Sequence, residues 1–167
     1  MELLLRSPRI ADETEVMAAH RQMLSENFFF ATGLRGTDTW QGYLNRADRY
    51  QYGPEAPWLP ATFLVAEVEE AIVGRASIRF EMDLDLAREG GHIGYGVIPG
   101  ERRKGYATEI LSQSLGIVSR AGIRHVLVTC ARENEGSKTV IERCGGVFES
   151  MIPTTDGKLV RRYWIDQ

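Results

Sequence analysis

What this chain has little of narrows its class first. Its 167 residues include two cysteines and three histidines, too few for a disulfide framework. Cys130 and Cys144 stand at no metal-ligand spacing from each other or from His20, His92 and His125, so the residues point to no metal. No apolar run is long enough to cross a membrane, which excludes a spanning helix and a membrane partner. The opening Met1-Glu2-Leu3-Leu4-Leu5-Arg6 lacks the charged start and apolar stretch of a signal peptide, so the expected compartment is the cytoplasm, where reduced thiols belong. Positive charge is not in excess either: the formal net charge is -3, which argues against nucleic acid as a partner. No linker, repeat or low-complexity segment breaks the chain, and 1–167 reads as one domain around a single core.

Against that acidic background one stretch is basic. Residues 92–97 contain isoleucine, tyrosine and valine and stop at Pro99, which reads as a strand. Ala107, Ile110, Leu111, Ser114, Leu115, Val118 and Ala121 then recur at offsets of three and four, the stripe of a helix packed on a sheet, and Gly122 ends it. Between strand and helix lie Arg102, Arg103, Lys104 and Gly105. A glycine there lets backbone approach a ligand, the first N–H groups of the helix are unpaired donors, and three cations stand beside them. That combination can hold a pyrophosphate. It is not the nucleotide P-loop, since no Gly-Lys-Ser/Thr follows, and Gly94-x-Gly96-x-x-x-Gly100 lacks the dinucleotide spacing.

The remaining elements follow from periodicity. A first strand is expected at 3–6 and a helix at 11–24, with Asp12 near its start. The stretch 28–58 is rich in aromatics (Phe28, Phe29, Phe30, Trp40, Tyr43, Tyr50, Tyr52, Trp58) and broken by Gly33, Gly36, Pro54 and Pro57. It reads as short helices and loops, either completing the core or lining an acceptor pocket. Alternation at 61–69 and 72–80 predicts an antiparallel hairpin, 81–91 is an acidic connection, and 125–130 is an apolar strand. A short helix follows Asn134, and 147–152 with 159–165 flank an Asp156-Gly157 turn. The order is that of an α/β fold with a mixed sheet and antiparallel ends. The final hairpin, ending Tyr163-Trp164-Ile165, offers an exposed surface for pairing with a second copy in a homodimer.

Arg102-Arg103-Lys104-Gly105-Tyr106-Ala107 match the pattern Q/R-x-x-G-x-G/A of the acetyl-CoA loop, and in this the chain resembles the GNAT superfamily of N-acetyltransferases. Val97-x-Pro99 before the loop, the strand at 125–130, Asn134-x-x-Ser137 and Gly145-Gly146-Val147-Phe148 are similar to the same superfamily in order and spacing. The resemblance spans 92–148, about a third of the chain. A looser likeness, through Gly90-Gly91-His92-Ile93-Gly94-Tyr95, Thr129-Cys130 and Arg162-Tyr163-Trp164, is to a subgroup of predicted acetyltransferases with no assigned substrate. The resemblance implies a single GNAT-like domain, with a mostly antiparallel sheet of about seven strands flanked by about four helices. It implies acetyl-CoA as co-substrate. Val97 and Ile98 would bind the pantetheine arm, while Arg102, Arg103, Lys104, Gly105, Tyr106, Ala107 and Thr108 would hold the pyrophosphate, with Asn134 and Ser137 completing the cofactor site.

The implied reaction moves an acetyl group directly from acetyl-CoA to a primary amine of a small molecule or a protein N-terminus. An alkyl ammonium must first lose a proton, for which His92, Glu89 and Glu81 are the nearby candidates. A backbone N–H near residues 95–97 could face the developing oxyanion. Relatives often carry a tyrosine seven residues after the motif asparagine, where this chain has Ile141, which cannot donate a proton. Tyr95, Tyr106 and Tyr163 are the substitutes, or the thiolate leaves unaided. Cys130 reads as a packed strand residue and not as a nucleophile, since His125 on the same strand lies about 16 Å away at about 3.3 Å per residue. The alternative to an enzyme is a non-catalytic acyl-CoA binding or sensing domain that keeps the loop without the proton relay.

Overall fold

The computed structural model describes residues 2–51 and 59–167; Tyr52, Pro54, Pro57 and Trp58 of the aromatic stretch lie outside them. The chain runs β1 (Leu4–Arg6), α1 (Glu13–Leu24), α2 (Trp40–Gln51), β2 (Ala61–Val68), β3 (Ala71–Arg79) and β4 (Ile93–Val97). It continues through α3 (Tyr106–Arg120), β5 (His125–Ala131), α4 (Glu135–Arg143), β6 (Val147–Pro153) and β7 (Leu159–Asp166). Among the described residues, no helix is long and apolar enough to cross a membrane.

Among the described residues, seven strands and four α-helices make an α/β fold. Every strand ladder is antiparallel, and the strands fall into two sheets, β1-β2-β3-β4 and β5-β7-β6. The expected sheet is thus divided at its middle. β4 and β5 touch through a single bridge from Gly91 to Val128 and form no ladder beyond it. In the final hairpin β7 lies between β5 and β6 with Tyr163 and Ile165 buried, while β6 exposes Val147, Phe148 and Met151. The open edge belongs to β6.

Both faces of the first sheet are covered. In β3, alternation sends Ala76 and Ile78 into the core beneath α3, where they meet Ile110 and Leu111, and turns Arg75 and Ser77 to the opposite face. On α3 the buried residues are Ile110, Leu111, Ser114, Leu115 and Val118, the predicted stripe, each large one contributing about 1.5–3 kcal/mol by burial. The opposite face carries a second core built from Val16, Ala19 and Met23 of α1, Trp40 and Tyr43 of α2, and Phe63 and Val65 of β2. Phe30, Trp40 and Tyr43 are therefore core residues.

Candidate active site

The site begins where β4 loses its second neighbour. Ladder parity follows from two bonds, Arg79 N–H to the His92 carbonyl at 2.8 Å and Ile98 N–H to the Val73 carbonyl at 3.0 Å. With Ser77 opposite Gly94 and Arg75 opposite Gly96, Gly94 and Gly96 turn their backbone groups toward β3, whereas Tyr95 and Val97 turn theirs to the free edge. The Val97 carbonyl accepts a bond from Arg102 Nε at 3.1 Å. What remains on that edge includes the Val97 N–H and both backbone groups of Tyr95.

Past β4 the chain makes a 3-10 turn, Pro99–Glu101, in which Glu101 N–H bonds the Ile98 carbonyl at 2.8 Å. Both backbone groups of Ile98 are therefore engaged, and its side chain packs against the second core. The Ile98 N–H is thus turned toward β3 and away from the free edge. Gly105 then takes φ +89°, a left-handed conformation that favours glycine, and no side chain caps the helix it opens. Thr108 N–H bonds the Gly105 carbonyl at 3.1 Å, which leaves the Tyr106 and Ala107 N–H groups for a ligand, with the positive end of the helix dipole behind them. An ideal Cβ on Gly105 would meet nothing within 4 Å, so the open space there is available to a ligand.

A cleft of about 1010 Å³ lies between this edge and α4. Tyr95, Val97, Arg102, Arg103, Gly105, Tyr106, Ala107, Thr108, Asn134 and Ser137 all line it, ten predicted site residues drawn together from three separate segments. Asn134 caps α4, its side-chain oxygen accepting Ser137 N–H at 2.9 Å. Arg102 bonds Glu26 at 2.5 Å across the mouth, and Arg143 adds a further cation to the lining. Lys104 lies off the cleft, paired with Glu101 at 2.8 Å, whose carboxylate raises its pKa. Sequence reasoning missed Met23, Glu26 and Phe28, which reach the cleft from the end of α1. The tip of the Phe28 ring packs against Gly96, where an added Cβ would come within 2.4 Å of it.

His92 and Glu89 do not reach the cleft. His92 is buried at the seam of the two sheets, where its Nδ1 accepts the Leu127 N–H at 2.9 Å and its own N–H donates to the Leu127 carbonyl at 2.8 Å. With Nδ1 occupied as an acceptor, the ring proton of the neutral form sits on Nε2 and no lone pair is left to take a proton from an amine. Burial holds its pKa below the ordinary value. Glu89 accepts the Thr155 N–H at 3.0 Å and the Thr155 hydroxyl at 2.9 Å, fastening the π-helical turn Leu86–Gly90 to the last hairpin. Both residues are tied into the fold.

Tyr95 is different. Its ring lines the cleft, and its hydroxyl donates to the Ser137 carbonyl at 3.3 Å. Burial pushes its pKa well above the ordinary value, so it stays protonated. Tyr106 also lines the cleft, whereas Tyr163 is buried against Glu142 at 3.4 Å and Ile141 is wholly buried. Cys130 is buried, burial raises the pKa of both thiols, and neither lines the cleft. A second cavity of about 500 Å³ lies on the opposite face of β3, with Tyr43, Thr62, Ser77 and Arg79 in its wall. The polar Arg75-x-Ser77-x-Arg79 alternation inside an apolar strand is the sequence signal that marks it.

A family profile described as "Acetyltransferase (GNAT) domain" matches residues 2–147. No curated protein matches the sequence. Among solved structures, the chain is similar to RimJ of Mycobacterium smegmatis in complex with CoA-disulfide, at 18% identity and TM-score 0.74, covering 98% of this chain and 81% of that one. It is also similar to the microcin C7 self immunity acetyltransferase MccE in complex with acetyl-CoA and AMP, at 16% identity and TM-score 0.72, covering 99% and 93%. A third is the spermidine N-acetyltransferase of Vibrio cholerae in complex with CoA and spermine, at 17% identity and TM-score 0.68, covering 99% and 95%. At these identities the likeness is one of fold.

Proposed function

The chain belongs to the GNAT acetyltransferase family, and from that premise we propose that it transfers an acetyl group from acetyl-CoA directly to a primary amine of a small molecule or a protein N-terminus. The observation that carries this reading is the uncapped start of α3, with Gly105 at φ +89° and Arg102 and Arg103 lining the same cleft. Those groups suit a pyrophosphate: fixed N–H donors and a helix dipole, without a Cβ in the way, share a cleft with two arginines. That the structural neighbours are complexes with CoA or acetyl-CoA supports it.

When bound, acetyl-CoA supplies the acyl group as a thioester. In this reading Arg102 and Arg103, with the amides that open α3, hold the pyrophosphate. The free edge of β4 takes the pantetheine arm as an added strand would, through the backbone N–H and carbonyl of Tyr95. The Val97 N–H is the donor at the oxygen where negative charge develops. The C–S bond breaks as the C–N bond forms; Tyr95 gives its proton to the departing thiolate and recovers one from the acylated nitrogen, directly or through water, and so fills the role that Ile141 leaves empty. No side chain of the β4 seam acts as the amine base, because His92 and Glu89 are bonded elsewhere.

Release of CoA thiol measured with a panel of amines, together with mass-spectrometric detection of the acetylated amine, tests the reading. Amine-dependent release is the expected result. A protein that binds CoA but shows no amine-dependent release would be a binding or sensing domain instead.

A further inference from the structure

The second cavity holds a guanidinium with donors to spare. Arg79 lines it and carries five N–H donors, of which, among the described residues, Nη1 bonds the Gly91 carbonyl at 3.2 Å. Among the described residues no carboxylate forms an ion pair with it.

Arg75 lies four residues earlier on the same face, buried, its guanidinium stacked on Phe28 at 4.4 Å. It bonds the Gly94 and Phe29 carbonyls at 3.2 Å, and its Nε has no partner. Burial pushes its pKa down to about 9 and lowers that of Arg79 as well, yet both remain cations at neutral pH. Their end nitrogens converge on one point. An ideal Cβ on Gly94 would lie 3.6 Å from Arg75 Nη1 and 4.0 Å from Arg79 Nη1. Gly94 sits between the β3 residues that wall the second cavity and the β4 edge that lines the cleft.

We propose that the second cavity is the acceptor subsite and that it selects a small primary amine carrying a carboxylate one or two carbons from the nitrogen, with Arg79 binding that carboxylate. This rests on the acetyl-transfer reading above. The short spacing follows from geometry: a carboxylate on Arg79 lies within a few ångströms of Gly94, so an amine that reaches the β4 edge must be close to it along the molecule. Tyr43 and Phe63 in the wall accept an apolar body. Asp83 and Asp85, exposed at the same cavity, attract the ammonium of an arriving zwitterion. A polyamine would place a second positive charge against Arg79 and is disfavoured.

The test compares phenylalanine and leucine with their amides and with phenethylamine and isoamylamine, and adds spermidine. The acids should exceed the matched amides and amines in kcat/KM by at least about tenfold, as charge-assisted hydrogen bonds to carboxylate imply. Arg79→Gln should reduce the acids to the level of the amides while the CoA-induced rise in Tm persists. Equal or better turnover of the amides, the plain amines or spermidine by the unaltered protein overturns the proposal, as does a preference that survives Arg79→Gln. A second measurement needs no turnover: calorimetric titration with N-acetylphenylalanine and its amide, in the presence and absence of CoA. Tighter binding of the acid by at least about tenfold, lost in Arg79→Gln, supports the subsite even if no amine is acetylated, whereas equal binding or none overturns it. Absence of any CoA-induced Tm shift, with no thiol release, counts against the transfer reading and leaves this titration to decide the subsite.

Discussion

His92 and Leu127 hold each other at two points, the imidazole Nδ1 accepting the Leu127 N–H at 2.9 Å while the His92 N–H donates to the Leu127 carbonyl at 2.8 Å. β4 starts at the next residue and runs on with no ladder to β5. The pair is thus the apex of the wedge that opens into the cleft. A side chain is used here as a piece of backbone, giving Leu127 the acceptor that a neighbouring strand would otherwise supply.

His92→Ala removes that acceptor and leaves a buried N–H unpaired, a loss of about 1–3 kcal/mol. In a chain of this size each kcal/mol lowers Tm by about 2–4 °C. His92→Asn, whose side-chain oxygen can accept the same bond, should recover part of the loss. Thermal melts check this. If the ring were the amine base instead, His92→Ala would lower kcat by about 10² and remove the acid limb of the kcat/KM profile; the expected result is that the acid limb stays.

The same burial sets a pH dependence. Burial lowers the pKa of His92 and also of His20, whose Nδ1 accepts the Ala31 N–H at 3.1 Å. Both therefore bind protons less readily when folded than when unfolded. Stability from keeping them neutral is fully present above their unfolded value of about 6.5 and is lost as pH falls below it toward the folded values. Tm should be level from pH 7 to 8 and decline below about 6.5. The double variant His20→Gln, His92→Asn should flatten the decline that precedes carboxylate protonation, and an unchanged slope between pH 5 and 6.5 would place the effect elsewhere.

The phosphate-type loop was legible because everything that makes it is local: three cations, a glycine and a 3.6-residue stripe within twenty positions. The strands were legible for the same reason, since alternation and turn residues travel together. What sequence could not show depends on which strands meet. Glu26 bonds Arg102 across 76 positions, Phe28 covers Gly96, and β7 inserts between β5 and β6. No periodicity encodes such pairings. The bonding of His92 is not encoded locally, because a polar residue beside a motif strand looks alike from sequence whether its ring faces a ligand or folds back on a neighbouring amide. The backbone bonds of Ile98 are a property of the turn that follows it.

Gly105 gives a direct test of the loop. At φ +89° a residue with a Cβ is strained by about 1–2 kcal/mol whatever the space around it. Gly105→Ala should therefore lower the Tm of the free protein by a few degrees and leave it folded, while its Cβ enters the open space in front of the α3 amides. CoA should raise the Tm of the parent protein in proportion to RT ln(1 + [L]/Kd) and raise that of the variant little. A full CoA shift in the folded variant would remove the loop from the binding site.

Tyr95 carries the most specific chemical expectation. Its hydroxyl is bonded only to the Ser137 carbonyl, at 3.3 Å, a long contact whose loss affects stability little, and its ring stays in place in Tyr95→Phe. If the hydroxyl protonates the departing thiolate, kcat should fall by about tenfold to 10², the low end for a general acid because a thiolate of pKa near 8.5 leaves tolerably on its own. The CoA-induced Tm shift should persist, which separates a lost proton donor from a lost binding contact. Burial holds the Tyr95 pKa above its ordinary value, so the parent enzyme should show no alkaline fall in kcat from this group at or below about pH 10. A Tyr95→Phe enzyme with near-normal kcat would mean that the thiolate departs unaided and that Tyr95 serves only to brace α4 against β4.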